Sequence, residues 1–74
     1  MSESNTEASV LYEVSDHIAT ITLNRPERRN ALNFDAYDRL EKALRRAVTD
    51  AEARCVIITG ADPAFCSGDD VREI

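Results

Sequence analysis

Cys55-Val56-Ile57-Ile58-Thr59-Gly60, then Ala61-Asp62-Pro63-Ala64-Phe65-Cys66-Ser67, then Gly68-Asp69-Asp70-Val71-Arg72-Glu73-Ile74 is the stretch that decides the fold. A short, continuous apolar run bounded by a glycine suits a strand buried on both faces, as in a parallel sheet. The loop that follows leads to Gly68 and to a helix start over Asp70–Ile74. The first turn of a helix carries N–H groups without intrahelical partners and a partial positive charge. Gly68 has no Cβ, so a ligand atom can approach the main chain closely. Such a place suits a negative charge developing on oxygen.

Upstream, the stretch from Asp35 reads as a helix. Asn33 is the predicted N-cap. Tyr37, Leu40, Leu44, Ala47, Val48 and Ala51 recur at steps of three and four, which describes one apolar stripe. Asp38 with Lys42 and Glu41 with Arg45 are acid-before-base pairs four residues apart. The pattern predicts a helix over 35–51, with Tyr37, Leu40 and Leu44 in the core. Before it, Val10–Val14 and His17–Leu23 read as two strands of an antiparallel hairpin turning at Ser15-Asp16. Asn24-Arg25-Pro26 ends the second strand, because proline cannot donate to a ladder. Helix 35–51 followed by strand 54–60 predicts a crossover that returns the last strand beside strand 17–23. The fold class is therefore α/β: hairpin, helix, parallel strand and the start of a second helix.

With 74 residues the chain holds at most one small domain. Residues 1–8 read as a flexible tail and 9–74 as the folded part. The last element would be barely one turn, so the chain reads as the N-terminal piece of something longer. The net charge of −5 argues against a nucleic-acid or anionic-membrane partner. No apolar run reaches the ~20 residues of a membrane span. Two cysteines without a signal peptide make no disulfide framework. A cytoplasmic setting is the simplest expectation.

Two motifs carry a family resemblance. Ile21-Thr22-Leu23-Asn24-Arg25-Pro26 through Asn30-Ala31-Leu32 resembles the opening motif of the enoyl-CoA hydratase/isomerase (crotonase) family. Val56-Ile57-Ile58-Thr59-Gly60 through Ala64-Phe65-Cys66-Ser67-Gly68-Asp69-Asp70 resembles its second. The resemblance covers about Leu11 to Ile74 and implies the N-terminal part of a spiral of ββα units. It also implies a parent enzyme that binds acyl-CoA thioesters and assembles as a homotrimer or hexamer. The expected reaction is hydration of a 2-enoyl-CoA, a lyase step of fatty acid metabolism. An enoyl-CoA isomerase, an acyl-CoA hydrolase and a ring-modifying member share these motifs, and a non-catalytic interaction module is the reading outside enzymes.

By the same resemblance, the backbone N–H of Asp69 is one donor of an oxyanion hole. The second donor and the catalytic glutamates would lie beyond Ile74, so the 74-residue chain alone is expected to be inactive. Many members carry alanine where this chain has Asp69. A carboxylate beside a forming oxyanion repels it, so the Asp69 side chain is expected to point away or to pair with a cation. The implied CoA-binding residues are Arg28, Arg29, Ala31, Gly68, Asp69, Asp70 and Val71. Arg25, Arg28 and Arg29 form a basic patch that could grip phosphates, or simply a solvated loop. Asp70 is expected to order the turn rather than react.

Other residues read plainly. Asp69 and Asp70 are adjacent, with no His or third acid nearby, so no metal site is expected. CoA enters as part of the substrate, and no separate cofactor is expected. Cys66 reads as a small packing residue rather than a nucleophile, Cys55 as core, and His17 as a half-exposed strand residue. The phosphate-loop pattern is absent.

Overall fold

The computed structural model describes residues 8–72. Strands β1 (Val10–Ser15) and β2 (Ile18–Leu23) form the hairpin, and helix α1 (Phe34–Thr49) leads to strand β3 (Cys55–Gly60). A single turn of 3-10 helix at Pro26–Arg28 lies between β2 and α1. The sheet order is β1-β2-β3. β1 and β2 pair antiparallel, and β2 and β3 pair parallel with Ile18 against Cys55 and Leu23 against Gly60. The crossover and the α/β class therefore stand as the sequence implied.

Asn33 caps α1, its side chain accepting from the Ala36 N–H at 2.9 Å. The two-residue turn of the hairpin is Asp16-His17, with φ of 53° and 65°. Positive φ at both positions is what a type I′ turn requires, and its twist matches the strands. This corrects the expected placement of His17: it sits in the turn, exposed, and not in the strand.

The core is small. Val10, Ile21, Leu23 and Ala43 form its buried cluster, with Tyr12, Leu32, Leu40 and Cys66 packed against it. Two expectations about the core fail. The buried face of α1 is Ala36, Ala43 and Ala47, with Leu40 partly buried. Tyr37 and Leu44 lie exposed at its flank, and Val48 is 85% exposed. The sheet meets the helix along its smallest residues, which let the backbones come close, while the larger apolar residues lie to the side. Second, β3 is exposed along Cys55–Thr59, so Cys55 is not core. As the sheet's edge strand it has a neighbour on one side only among the described residues.

The second helix is also corrected. Asp69 forms an isolated parallel bridge with Leu32, and Val71-Arg72 is a turn. No helix occurs over the described part of 70–74, and residues 73–74 lie outside the described residues. The expected tail over 1–7 lies outside them too. Ala8 is tied down, its carbonyl accepting from Asn24 Nδ2 at 3.0 Å.

Candidate functional site

Two loops leave the same end of the sheet and lock together. The first, after β2, turns through Arg29 and Asn30, both at positive φ (52° and 60°). Asn30 is the hub. Its side chain is 1% exposed. Its Oδ1 accepts from the Arg25 N–H at 2.7 Å, and its Nδ2 donates to the carbonyls of Ala61 and Ala64 at 2.8 and 2.5 Å. Asparagine tolerates the left-handed region and offers both donor and acceptor, so one residue holds both loops. The second loop, after β3, passes so close to Gly60 that a Cβ there would lie 2.2 Å from the Phe65 carbonyl oxygen.

Further bonds complete the seam. The Ser67 N–H donates to the Arg29 carbonyl at 3.1 Å. The Leu32 N–H donates to the Gly68 carbonyl at 2.8 Å, and the Asp70 N–H to the Leu32 carbonyl at 2.9 Å. These last two bonds fix the orientation of the residue between them. In a parallel bridge the residues flanking Asp69 face Leu32, so Asp69 presents its own N–H and C=O to the other side. No acceptor for the Asp69 N–H occurs among the described residues. Gly68 precedes it at φ 103°, and the space where its Cβ would stand is open. The backbone conformation at Gly68 therefore favours glycine.

The amide was legible in the sequence, but not the reason for its direction. It is aimed by the bridge to Leu32 and not by a new helix. Helix α1 begins at Phe34, two residues after the bridge residue Leu32.

The charged groups also differ from a free phosphate clamp. Asp70 is 4% exposed. Its Oδ2 lies 3.2 Å from Nη1 of both Arg25 and Arg28. Burial opposes the charge on Asp70. The Arg72 N–H and the guanidinium groups of Arg25 and Arg28 outweigh it and hold the carboxyl below the ordinary range. Asp70 does order the turn, as an internal counter-ion between two arginines. Arg25 is itself buried and also donates to the Ala31 carbonyl at 2.5 Å. Ala31 is buried, and its N–H donates to the Arg28 carbonyl at 3.0 Å. Arg29 and Val71 are exposed. The seam therefore gathers Arg28, Arg29, Ala31 and Gly68–Val71 into one patch.

The Asp69 side chain has a partner that the sequence did not reveal. The Tyr37 hydroxyl, from the first turns of α1, donates to Asp69 Oδ1. That bond, with burial and the negative charge of Asp69, pushes the Tyr37 phenol above its ordinary value. The expectation was a side chain turned away or paired with a cation; the partner is a neutral phenol. The missed signal was Tyr37 itself, a hydrogen-bonding aromatic counted only as part of an apolar stripe.

A cleft of about 570 Å³ lies elsewhere, between the hairpin turn and the C-terminal end of α1. It is open and lined by Tyr12, Asp16, His17, Arg46, Asp50 and their neighbours. Cys66 packs at the core edge and its sulfur accepts from the Gly68 N–H at 3.4 Å, consistent with a packing role. Among the described residues no three His, Cys, Asp or Glu side chains converge as metal ligands. No helix of the described residues is long and apolar enough to cross a membrane.

The model of the enoyl-CoA hydratase/isomerase family matches residues 13–74. A probable enoyl-CoA hydratase of Mycobacterium tuberculosis is 44% identical over 65 residues, which is 88% of this chain and 25% of that protein. The 1,2-epoxyphenylacetyl-CoA isomerase of Escherichia coli is 38% identical over 64 residues, 86% of this chain and 24% of that protein. The crystal structure of an enoyl-CoA hydratase from Mycobacterium avium superposes with a TM-score of 0.86 at 47% identity, covering 89% of this chain and 30% of that one. The chain belongs to the enoyl-CoA hydratase/isomerase family. It spans about a quarter of the length of the curated relatives it matches.

Proposed function

We propose that this chain binds an acyl-CoA thioester and supplies one donor of an oxyanion hole, the Asp69 N–H, to an enzyme that hydrates a 2-enoyl-CoA. The observation that carries the reading is the outward, unaccepted amide of Asp69, held by the Leu32 bridge beside a glycine with open space above it. In hydration, a water gives one proton to a base as its oxygen bonds to C3 of the enoyl group, and the double-bond electrons move onto the thioester oxygen as an enolate. A proton then returns to C2. A donor aimed at that oxygen stabilises the enolate more than the neutral thioester; one such hydrogen bond is worth roughly 10²–10³ in rate in other enzymes.

Arg28 and Arg29 are the phosphate contacts in this reading, with Arg28 shared with Asp70. Ala31, Gly68, Asp70 and Val71 complete the CoA contacts in this reading. CoA is part of the substrate and no further cofactor is invoked. The parent enzyme would be a cytoplasmic homotrimer or hexamer, with its second donor and its acid/base groups beyond Ile74. An isomerase or thioester hydrolase would use the same donor, and the relatives carry both hydratase and isomerase names.

The test is amide NMR on the 74-residue chain. Crotonyl-CoA should shift the Asp69 amide, whereas CoA without the acyl group should shift only the Arg28–Ala31 region. No response at residues 67–71 to saturating crotonyl-CoA overturns the reading. The chain alone should not hydrate crotonyl-CoA, and measurable turnover by the pure chain would contradict that. A second reading, an interaction module, is favoured by one observation: Phe34, Val48, Phe65 and Val71 are all prominently exposed. Size-exclusion chromatography separates the two, since a module should associate whether or not CoA is present.

A further inference from the structure

Asp69 places a carboxylate on the same residue as the outward amide. Left free, that carboxylate is a hazard to the site in two ways. A short acidic side chain accepts hydrogen bonds from nearby backbone N–H groups, and could occupy the donors meant for a ligand. It also sets a negative charge beside an oxygen that is becoming negative. The structure shows no cation on it among the described residues. Its partner is the Tyr37 hydroxyl, which reaches it from α1.

The position of Tyr37 is fixed independently of Asp69. Its backbone N–H donates to the Asn33 carbonyl at 3.0 Å, closing the first turn of α1. Asn33 follows directly on Leu32, the residue that bridges Asp69. The chain thus carries the phenol and the amide's anchor on one short segment, five residues from Leu32 to Tyr37. A ring with two rotatable bonds loses little freedom in holding this contact. Tyr37 is 43% exposed, so it is not spent on the core.

We propose that Tyr37 is a positioning residue for the oxyanion site: its hydroxyl holds the Asp69 carboxylate away from the Asp69 amide and keeps that amide free for a thioester carbonyl. This rests on the oxyanion reading above and deepens it. Tyr37 acts through Asp69 and does not touch the reacting atoms. Its effect should therefore fall on the carbonyl-dependent part of binding only, and should exist only while residue 69 carries a charge.

The experiment compares the affinity of the 74-residue chain for crotonyl-CoA with that for CoA. In the wild type, crotonyl-CoA should bind more tightly. Tyr37→Phe should reduce that preference about three- to tenfold, the ordinary worth of one hydrogen bond, and leave the affinity for CoA unchanged. Asp69→Asn should raise the preference. In the Asp69→Asn background, adding Tyr37→Phe should change nothing further. A wild-type preference that survives Tyr37→Phe overturns the positioning role and spares the oxyanion reading. An equal loss in the Asp69→Asn background also overturns it, since the effect would then not pass through the carboxylate. A fall in CoA affinity with Tyr37→Phe would mark a merely structural role. No preference in the wild type removes the oxyanion reading and this one with it.

Discussion

Tyr12 and Tyr37 each donate a phenolic hydrogen bond to an aspartate far away in sequence, 38 and 32 residues respectively, at opposite ends of α1. At the C-terminal end, Asp50 accepts from Tyr12 at 3.0 Å and from the Glu52 N–H at 2.9 Å. Arg46 lies 4.2 Å over the Tyr12 ring. The Glu52 N–H first, then Tyr12, outweigh burial and hold the Asp50 carboxyl below its ordinary value. There the aspartate's two oxygens are each taken up by a donor beside the end of the helix. At the N-terminal end, Asp69 has the phenol but a free amide of its own beside it. The same donor and acceptor types make a clasp in one place and a site in the other. What separates them is whether the aspartate's surroundings are saturated.

The contrast depends on the seam under the N-terminal pair, so the largest effect should come from breaking that seam. Asn30→Ala removes one acceptor and two donor bonds from one buried and two half-buried backbone groups. It should cost about 3 kcal/mol or more by urea unfolding, since each orphaned buried group costs roughly 1–3 kcal/mol. Removing the Asn33 cap with Asn33→Ala, at the margin of the seam, should cost only about 1 kcal/mol. A similar cost for the two would mean that Asn30 is not the hub.

Acid should act next. The Asp70 carboxyl is held below the ordinary carboxylate value, near 3.9. As pH falls, the unfolded chain therefore takes up that proton first. The stabilisation is present at neutral pH and is lost as pH falls from about 4 through the folded-state value. Asp70→Asn should lower the urea midpoint at pH 7 and flatten its decline between pH 5 and 2. An unchanged acid limb would show that the Arg25–Asp70–Arg28 cluster contributes nothing to it.

The smallest effect is spectroscopic. The chain has two tyrosines and no tryptophan, so tyrosinate absorbance reports the two pairs alone. Both phenols are raised: Tyr12 by burial and then by its bond to Asp50, Tyr37 chiefly by its bond to Asp69. A raised phenol favours the folded state at neutral pH, and that contribution is lost as pH climbs through the folded-state value. Both should therefore ionise above the usual value, about 10. Asp69→Asn should bring only the Tyr37 transition down, and Asp50→Asn only that of Tyr12. Transitions that move together would erase the distinction between the two ends.

Much of the fold was readable because its signals are local. Asn33 capping, the alternation through Ile18–Leu23 and the apolar run before Gly60 each depend on a few neighbouring residues. The site was readable only through motif resemblance, and then unevenly. Arg25 and Arg28 meet Asp70 more than forty residues on, which no spacing discloses. Asn30 looks like a loop residue until its three bonds are seen. The helix stripe was misread for a physical reason. Counting large apolar residues puts Tyr37 and Leu44 in the core, whereas the buried face is Ala36, Ala43 and Ala47, of which the predicted stripe held only Ala47.

The single bridge at Leu32 has a consequence in parity. Along an extended segment, alternate residues face opposite ways, so only every second amide between Gly68 and Asp70 can look outward. A one-residue slip of that bridge, pairing Leu32 with Asp70, would turn the Asp69 amide inward and the Asp70 amide outward. Donor, counter-ion and phenol partner would be lost together. The pairing of one residue with one other thus sets which way the whole segment faces.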